Sequence, residues 1–213
     1  MRREFHDELT RAVSSLVTMA MAVREAMRQA STALLSADHT LAQGVIIRGA
    51  EVQVLYRVVE DRVYDLISRQ HPVAGDLRMV MTAMRVASDL ERMGDLAAHV
   101  AQVSQRRHPA PAVVPELAEL FRSMSTVADE LAGKIVSALA DQDATLAGEL
   151  DGDDDVMDDL HRELFAVMLS PDWPLGVEAA IDGALLGRYY ERYADHAVNV
   201  GRHVVFLVTG KTA

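Results

Sequence analysis

Glu91-Arg92-Met93-Gly94-Asp95 recurs one hundred residues later as Glu191-Arg192-Tyr193-Ala194-Asp195. In both copies an alanine (Ala97, Ala197) and a valine (Val100, Val200) follow at the same spacing. One such match would be noise. Two, each in the same place of a repeating plan, mark an internal duplication.

That plan emerges on reading outward from the two motifs. Proline ends or begins helices because its ring removes an N–H donor and clashes with the preceding turn. The six prolines fall at Pro72, at Pro109, Pro111 and Pro115, and at Pro171 and Pro174. Between these points apolar residues recur three or four apart, with no sustained alternation, so every long segment reads as helix. The first series runs Phe5, Leu9, Val13, Leu16, Ala20, Val23, Met27, Ala30, Leu34. It breaks at Ser36-Ala37-Asp38-His39 and resumes from Leu41 to Leu66. A third helix is expected over about 73–108, where Arg106, Arg107 and His108 complement the negative pole of a helix end. The second half repeats this order. A helix from Leu117 breaks near Asp141-Gln142-Asp143, a fifth runs to Pro171, and a sixth extends from about Leu175 to the Thr209-Gly210 stop. The expected fold is all-α, with two tandem pseudo-symmetric three-helix bundles over residues 1–108 and 115–213.

Composition narrows the function. The chain has 213 residues, half of them hydrophobic and a quarter charged, which is a globular balance. Lys+Arg number 21 against 32 Asp+Glu, a formal charge of −11 that is poorly suited to a phosphate backbone, so nucleic acid is not an expected partner. With no cysteine, thiol catalysis, disulfides and cysteine-ligated metals are excluded. No apolar run approaches the roughly 18 residues that span a bilayer. The charged opening MRREFHDELT is no secretory signal, and the expected compartment is the cytoplasm.

The repeated acids carry the chemistry. Glu91 and Asp95, like Glu191 and Asp195, lie four apart and so on one helix face. On an ideal wheel Asp95 is in line with Leu77 and Asp195 with Val177, so each pair continues a face that begins apolar. Asp154 and Asp158 offer a matching pair on the fifth helix, within an acidic run over 149–159. Four carboxylates from two facing helices make an oxygen-rich cage for a hard or borderline cation. The alternative is that Arg92 and Arg192 neutralise these acids as inter-helix ion pairs. In the first half Gly49 and Gln53 stand where an acid pair would face Glu91 and Asp95. His99, one turn past Asp95, is a candidate nitrogen donor, with Asn199 as its counterpart.

Sharper motifs fail. Asp151-Gly152-Asp153-Asp154-Asp155 has Val156 where a calcium loop needs glycine and Arg162 where it needs glutamate. Gly210-Lys211-Thr212 lacks the glycine-rich turn of a phosphate loop. The methionines, Met19, Met27, Met81 and Met84 among them, are spaced as core. His161 and His196 flank the acidic cluster, where each alone reads as packing or surface. Trp173 reads as a loop anchor.

Pro72-Val73-Ala74-Gly75-Asp76-Leu77-Arg78, followed by Asp89-Leu90-Glu91-Arg92-Met93-Gly94-Asp95, closely resembles the central signature of the PhoU family of phosphate-signalling regulators. Glu191-Arg192-Tyr193-Ala194-Asp195-His196-Ala197-Val198-Asn199 resembles its second copy, and the ending Leu207-Val208-Thr209-Gly210 fits as well. The resemblance implies tandem three-helix bundles with metal clusters on carboxylate motifs. It also implies a non-enzymatic negative regulator of the phosphate-starvation response, coupling the ATPase subunit of a phosphate ABC transporter to a sensor histidine kinase. Carried over residue by residue, Asp154, Asp158, Glu191 and Asp195 keep a second metal site, while Glu91 and Asp95 are what remains of the first. The metal (Fe, Zn, Mg or Mn) and the pairing of the chain with a second copy stay open. The departures are Gly49 and Gln53, and Ala194 where the family usually has glycine. The competing reading is a carboxylate-bridged metalloprotein, for storage or catalysis.

Overall fold

The computed structural model describes residues 2–210, and for residues 2–4 and 6 the backbone alone. Its six α-helices are α1 (Arg2–Ser36), α2 (His39–Gln70), α3 (Gly75–Arg107), α4 (Ala118–Asp141), α5 (Ala144–Met168) and α6 (Gly176–Thr209). A single 3-10 turn, Pro115–Leu117, leads into α4, and no strand occurs among the described residues.

Local chemistry sets each break. Ala37 turns left-handed at φ 54°, and Asp38 then caps α2 by accepting from the Leu41 N–H at 2.9 Å. The second half builds the same corner from Gln142 (φ 52°) and Asp143, which accepts from Thr145 and Leu146 at 2.9 and 3.0 Å. Such a side chain satisfies amide donors that the first helical turn leaves without partners. Gly210, at φ 69°, closes α6.

Within each half the three helices pack on one another, and α3 lies against α6 and α1 against α4 across the halves. The buried residues form one continuous apolar cluster. Tyr190, Tyr193 and Phe121 are wholly buried in it. The Ser31 and Tyr190 hydroxyls share a 2.7 Å hydrogen bond inside the core, and Arg24 of α1 holds Asp129 of α4 through two bonds of 2.8 Å. The helices approach so closely that a Cβ on Gly201 of α6 would lie 2.6 Å from the Ala147 carbonyl oxygen of α5.

The α3–α6 seam reflects the duplication. Asp89 of α3 meets His196 and His203 of α6, and Tyr189, the position equivalent to Asp89, meets the ring of His99 on α3 at 5.2 Å. Equivalent positions therefore face across the seam, as at a two-fold interface.

One expectation needs correction, and two others gain detail. Met81 has core spacing but is 45 % exposed. Leu77 and Val177, which begin the faces that end in the acid pairs, are 39 % and 75 % exposed. Arg107 does more than complement its own helix end: it reaches across to Glu178 and Asp182 of α6.

Candidate functional site

Packing of α5 against α6 brings the four second-half acids together. Asp154 and Asp158 descend one face of α5, and Glu191 and Asp195 descend the facing side of α6. Burial first, then the charges of Asp158, Asp195, Glu191 and Asp155, push the Asp154 carboxyl from its ordinary 3.8 up to about 6. Burial and Asp195 likewise raise Glu191, against the opposing pull of Arg188. Asp154 Oδ1 and Glu191 Oε2 are both buried without a hydrogen-bond partner. Asp158 and Asp195 are exposed at the rim. Beside this row opens a polar groove of about 550 Å³, lined by Asp151, Asp154, Asp155 and Asp195 with Arg192 and Arg202.

Two carboxylates that each leave a buried oxygen without a partner, Glu191 being paired with Arg188 through its other oxygen, are donors that suit a divalent cation. Among the described residues no three His, Asp or Glu side chains already converge as a metal cage.

The first half does not fit. Asp95 is engaged by Arg92 of its own helix at 3.2 Å. On α2, which packs on α3 as α5 packs on α6, Gly49 and Gln53 replace the acids, and a Cβ on Gly49 would meet only Ala98, at 4.0 Å. All six candidate acids lie beside such seams, but only Asp154, Asp158, Glu191 and Asp195 come together. His99 packs on Tyr189 across the halves rather than extending the first acid pair.

The arginine expectation also changes. Glu191 is engaged by Arg188 on the same helix, whereas Arg192 is exposed and borders the groove. Neither Glu191 nor Asp95 is neutralised from the facing helix.

Sequence reasoning missed a polar clamp between the halves. His196 Nδ1 lies 2.9 Å from Asp89 Oδ1, and His203 Nε2 lies 3.4 Å from Asp89 Oδ2. Burial alone would raise Asp89, but the bonds to the two imidazoles outweigh it and hold the carboxyl below its ordinary value. The available signal was the seven-residue spacing of His196 and His203, which sets both on one face of α6. Trp173 anchors its loop as expected, donating from Nε1 to the Gly176 carbonyl at 2.9 Å.

Comparison with known proteins places this geometry in context. The PhoU domain matches the chain twice, over residues 16–104 and 121–204. "Phosphate-specific transport system accessory protein PhoU homolog 2" of Mycobacterium tuberculosis is 41% identical over 210 residues, covering 99% of both chains. Homolog 1 of the same organism is 40% identical, covering 99% of this chain and 95% of the other. The crystal structure of PhoU from Pseudomonas aeruginosa superposes with a TM-score of 0.88 at 27% identity, covering 97% of this chain and all of that one.

Proposed function

This chain belongs to the PhoU family, and from that premise we propose that it regulates phosphate transport and phosphate-starvation signalling as an adaptor. Its relatives are named accessory proteins of a phosphate-specific transport system, which supports a regulatory role without catalysis. In this proposal the chain works in the cytoplasm between the ATPase subunit of a phosphate ABC transporter and a sensor histidine kinase, and holds the response down when phosphate is plentiful. No helix among the described residues is long and apolar enough to cross a membrane.

The observation that supports docking is an apolar face left uncovered at the start of both third helices. Leu77 and Met81 are exposed on α3, and Val177, Ile181 and Leu185 at the equivalent end of α6. On so acidic a protein, contiguous exposed apolar side chains suit burial against a partner.

Asp154, Asp158, Glu191 and Asp195 would hold the metal, of which Fe, Zn, Mg and Mn are the candidates. Bound there, the ion supplies positive charge to a seam that has too little of it. Asp154 and Glu191 supply the buried oxygens, Asp158 and Asp195 the exposed rim, and Arg188 keeps Glu191 oriented along α6. Glu91 and Asp95 would form no equivalent centre.

A phosphate-starvation reporter such as alkaline phosphatase, measured in phosphate-rich medium, tests the regulator. Deletion should switch it on and the wild-type gene should switch it off again. Val177→Asp with Ile181→Asp should fail to restore repression while accumulating as folded protein. A reporter that stays silent on deletion would refute the proposal and bring forward the metal-storage reading.

A further inference from the structure

Among the described residues five buried side-chain polar atoms lack a hydrogen-bond partner, and three of them belong to the α5–α6 seam: Asp154 Oδ1, Glu191 Oε2 and His161 Nε2. The first two belong to the carboxylate row. The third belongs to a residue that the sequence alone assigns to packing or surface.

His161 continues the row. Asp154, Asp158 and His161 follow at steps of four and three, which is one face of a helix. The imidazole lies over Gly187 of α6, whose missing side chain makes room for Leu164 and for the ring beside it. A Cβ there would stand 3.1 Å from Cδ2 and 3.6 Å from Nε2 of the ring. Gly187 is one helical turn, about 5.4 Å, before Glu191 on α6, so the ring sits over the turn that leads into the glutamate. Phe165 packs edge-on against the ring at 5.1 Å and limits its rotation. Burial is the main influence on the ring, followed by Arg188 and then Asp158, and the result is an imidazole of lowered basicity that keeps its lone pair.

The internal repeat supports the placement. Tyr56 follows Gln53 by three residues, as His161 follows Asp158. Glu91 is among the charges that act on Tyr56, so in the first half the equivalent position lies near the third-helix glutamate.

We propose that His161 is a nitrogen ligand at the end of the carboxylate row, and that it biases the α5–α6 centre toward zinc, cobalt or iron over magnesium and calcium. Imidazole suits these borderline ions, whereas magnesium and calcium prefer all-oxygen shells. The inference rests on the metal reading of the same four acids.

The test uses the metal-free full chain, titrated by calorimetry with Zn²⁺, Co²⁺ and Mg²⁺ separately, with X-ray absorption of the zinc-loaded form. Wild type should show imidazole scattering. His161→Gln and His161→Asn should lose it and bind Zn²⁺ and Co²⁺ at least about tenfold more weakly, with Mg²⁺ affinity and helical circular dichroism unchanged. Equal Zn²⁺ affinity in wild type and both variants, with no imidazole signal, would overturn the role of His161 alone, provided that Glu191→Ala/Asp195→Ala abolishes binding. A wild-type chain that binds none of the three ions would overturn this inference together with the metal reading.

Discussion

Replacing Asp154 by asparagine removes one charge from a row that has too many, and the metal-free chain should become more stable for it. Folding raises this carboxyl from its ordinary 3.8 to about 6, so the folded state takes up the proton more readily than the unfolded chain. Its contribution to stability is therefore fully favourable only below about pH 4 and is lost as pH rises through about 6. At neutral pH the rise corresponds to a ceiling of about 3 kcal/mol of destabilisation. The carboxyl is only half-buried, and solvent screening reduces this to about 1–1.5 kcal/mol. Asp154→Asn should recover that amount, a gain of about 3–5 °C in Tm for a chain of this size. Thermal melts with a chelator present, at about pH 7.5 and about pH 4.5, read it directly: a clear gain at the first and little at the second. Saturating Zn²⁺ should reverse the order, because only wild type keeps the full donor set. A variant no more stable than wild type at neutral pH, or equally stabilised at both, would refute the argument that like charges in a partly desolvated seam raise Asp154.

Other outcomes follow from the same packing. Glu191→Ala with Asp195→Ala should lower metal content, by elemental analysis, without loss of helical circular dichroism, since neither residue belongs to the apolar core; unfolding would contradict this. Glu91→Ala with Asp95→Ala should leave metal content unchanged, and equal occupancy of both halves in metal-soaked crystals would show the first half to be competent after all. Gly201→Ala should cost about 2–3 kcal/mol in urea unfolding, because its Cβ would meet a backbone oxygen that can move only with α5. Gly152→Ala, with open space around it, should instead be neutral or stabilising by up to about 1 kcal/mol.

Much of the fold was legible because its punctuation is local. Proline at the loops and aspartate at Asp38 and Asp143 act within a few residues, and both corners fell where the periodicity broke. The acid pairs were legible for the same reason: four-residue spacing on a helix is a local fact. The covering of a face is not. Helical periodicity says which residues share a side, but not whether another helix lies over it, so Met81 read as core although it is exposed. Contacts between distant segments were equally silent. Asp89 and His196 are 107 residues apart and Arg107 and Asp182 are 75 apart, and neither pair has any spacing rule to announce it. His161 was visible as a residue but not as an orphaned nitrogen, since that depends on Gly187 of the neighbouring helix.

The seam between α3 and α6 has a further consequence. In a true homodimer every substitution appears twice, so the two ends of the interface stay identical. Here both sides are encoded in one chain and each end can change alone: one carries the clamp of Asp89 with His196 and His203, the other the ring pair of Tyr189 and His99. The molecule is in effect a covalent heterodimer of two related halves, and its pseudo-two-fold axis no longer exchanges equals. Anything that meets the molecule along that axis meets two different ends, a carboxylate clamp at one and an aromatic pair at the other.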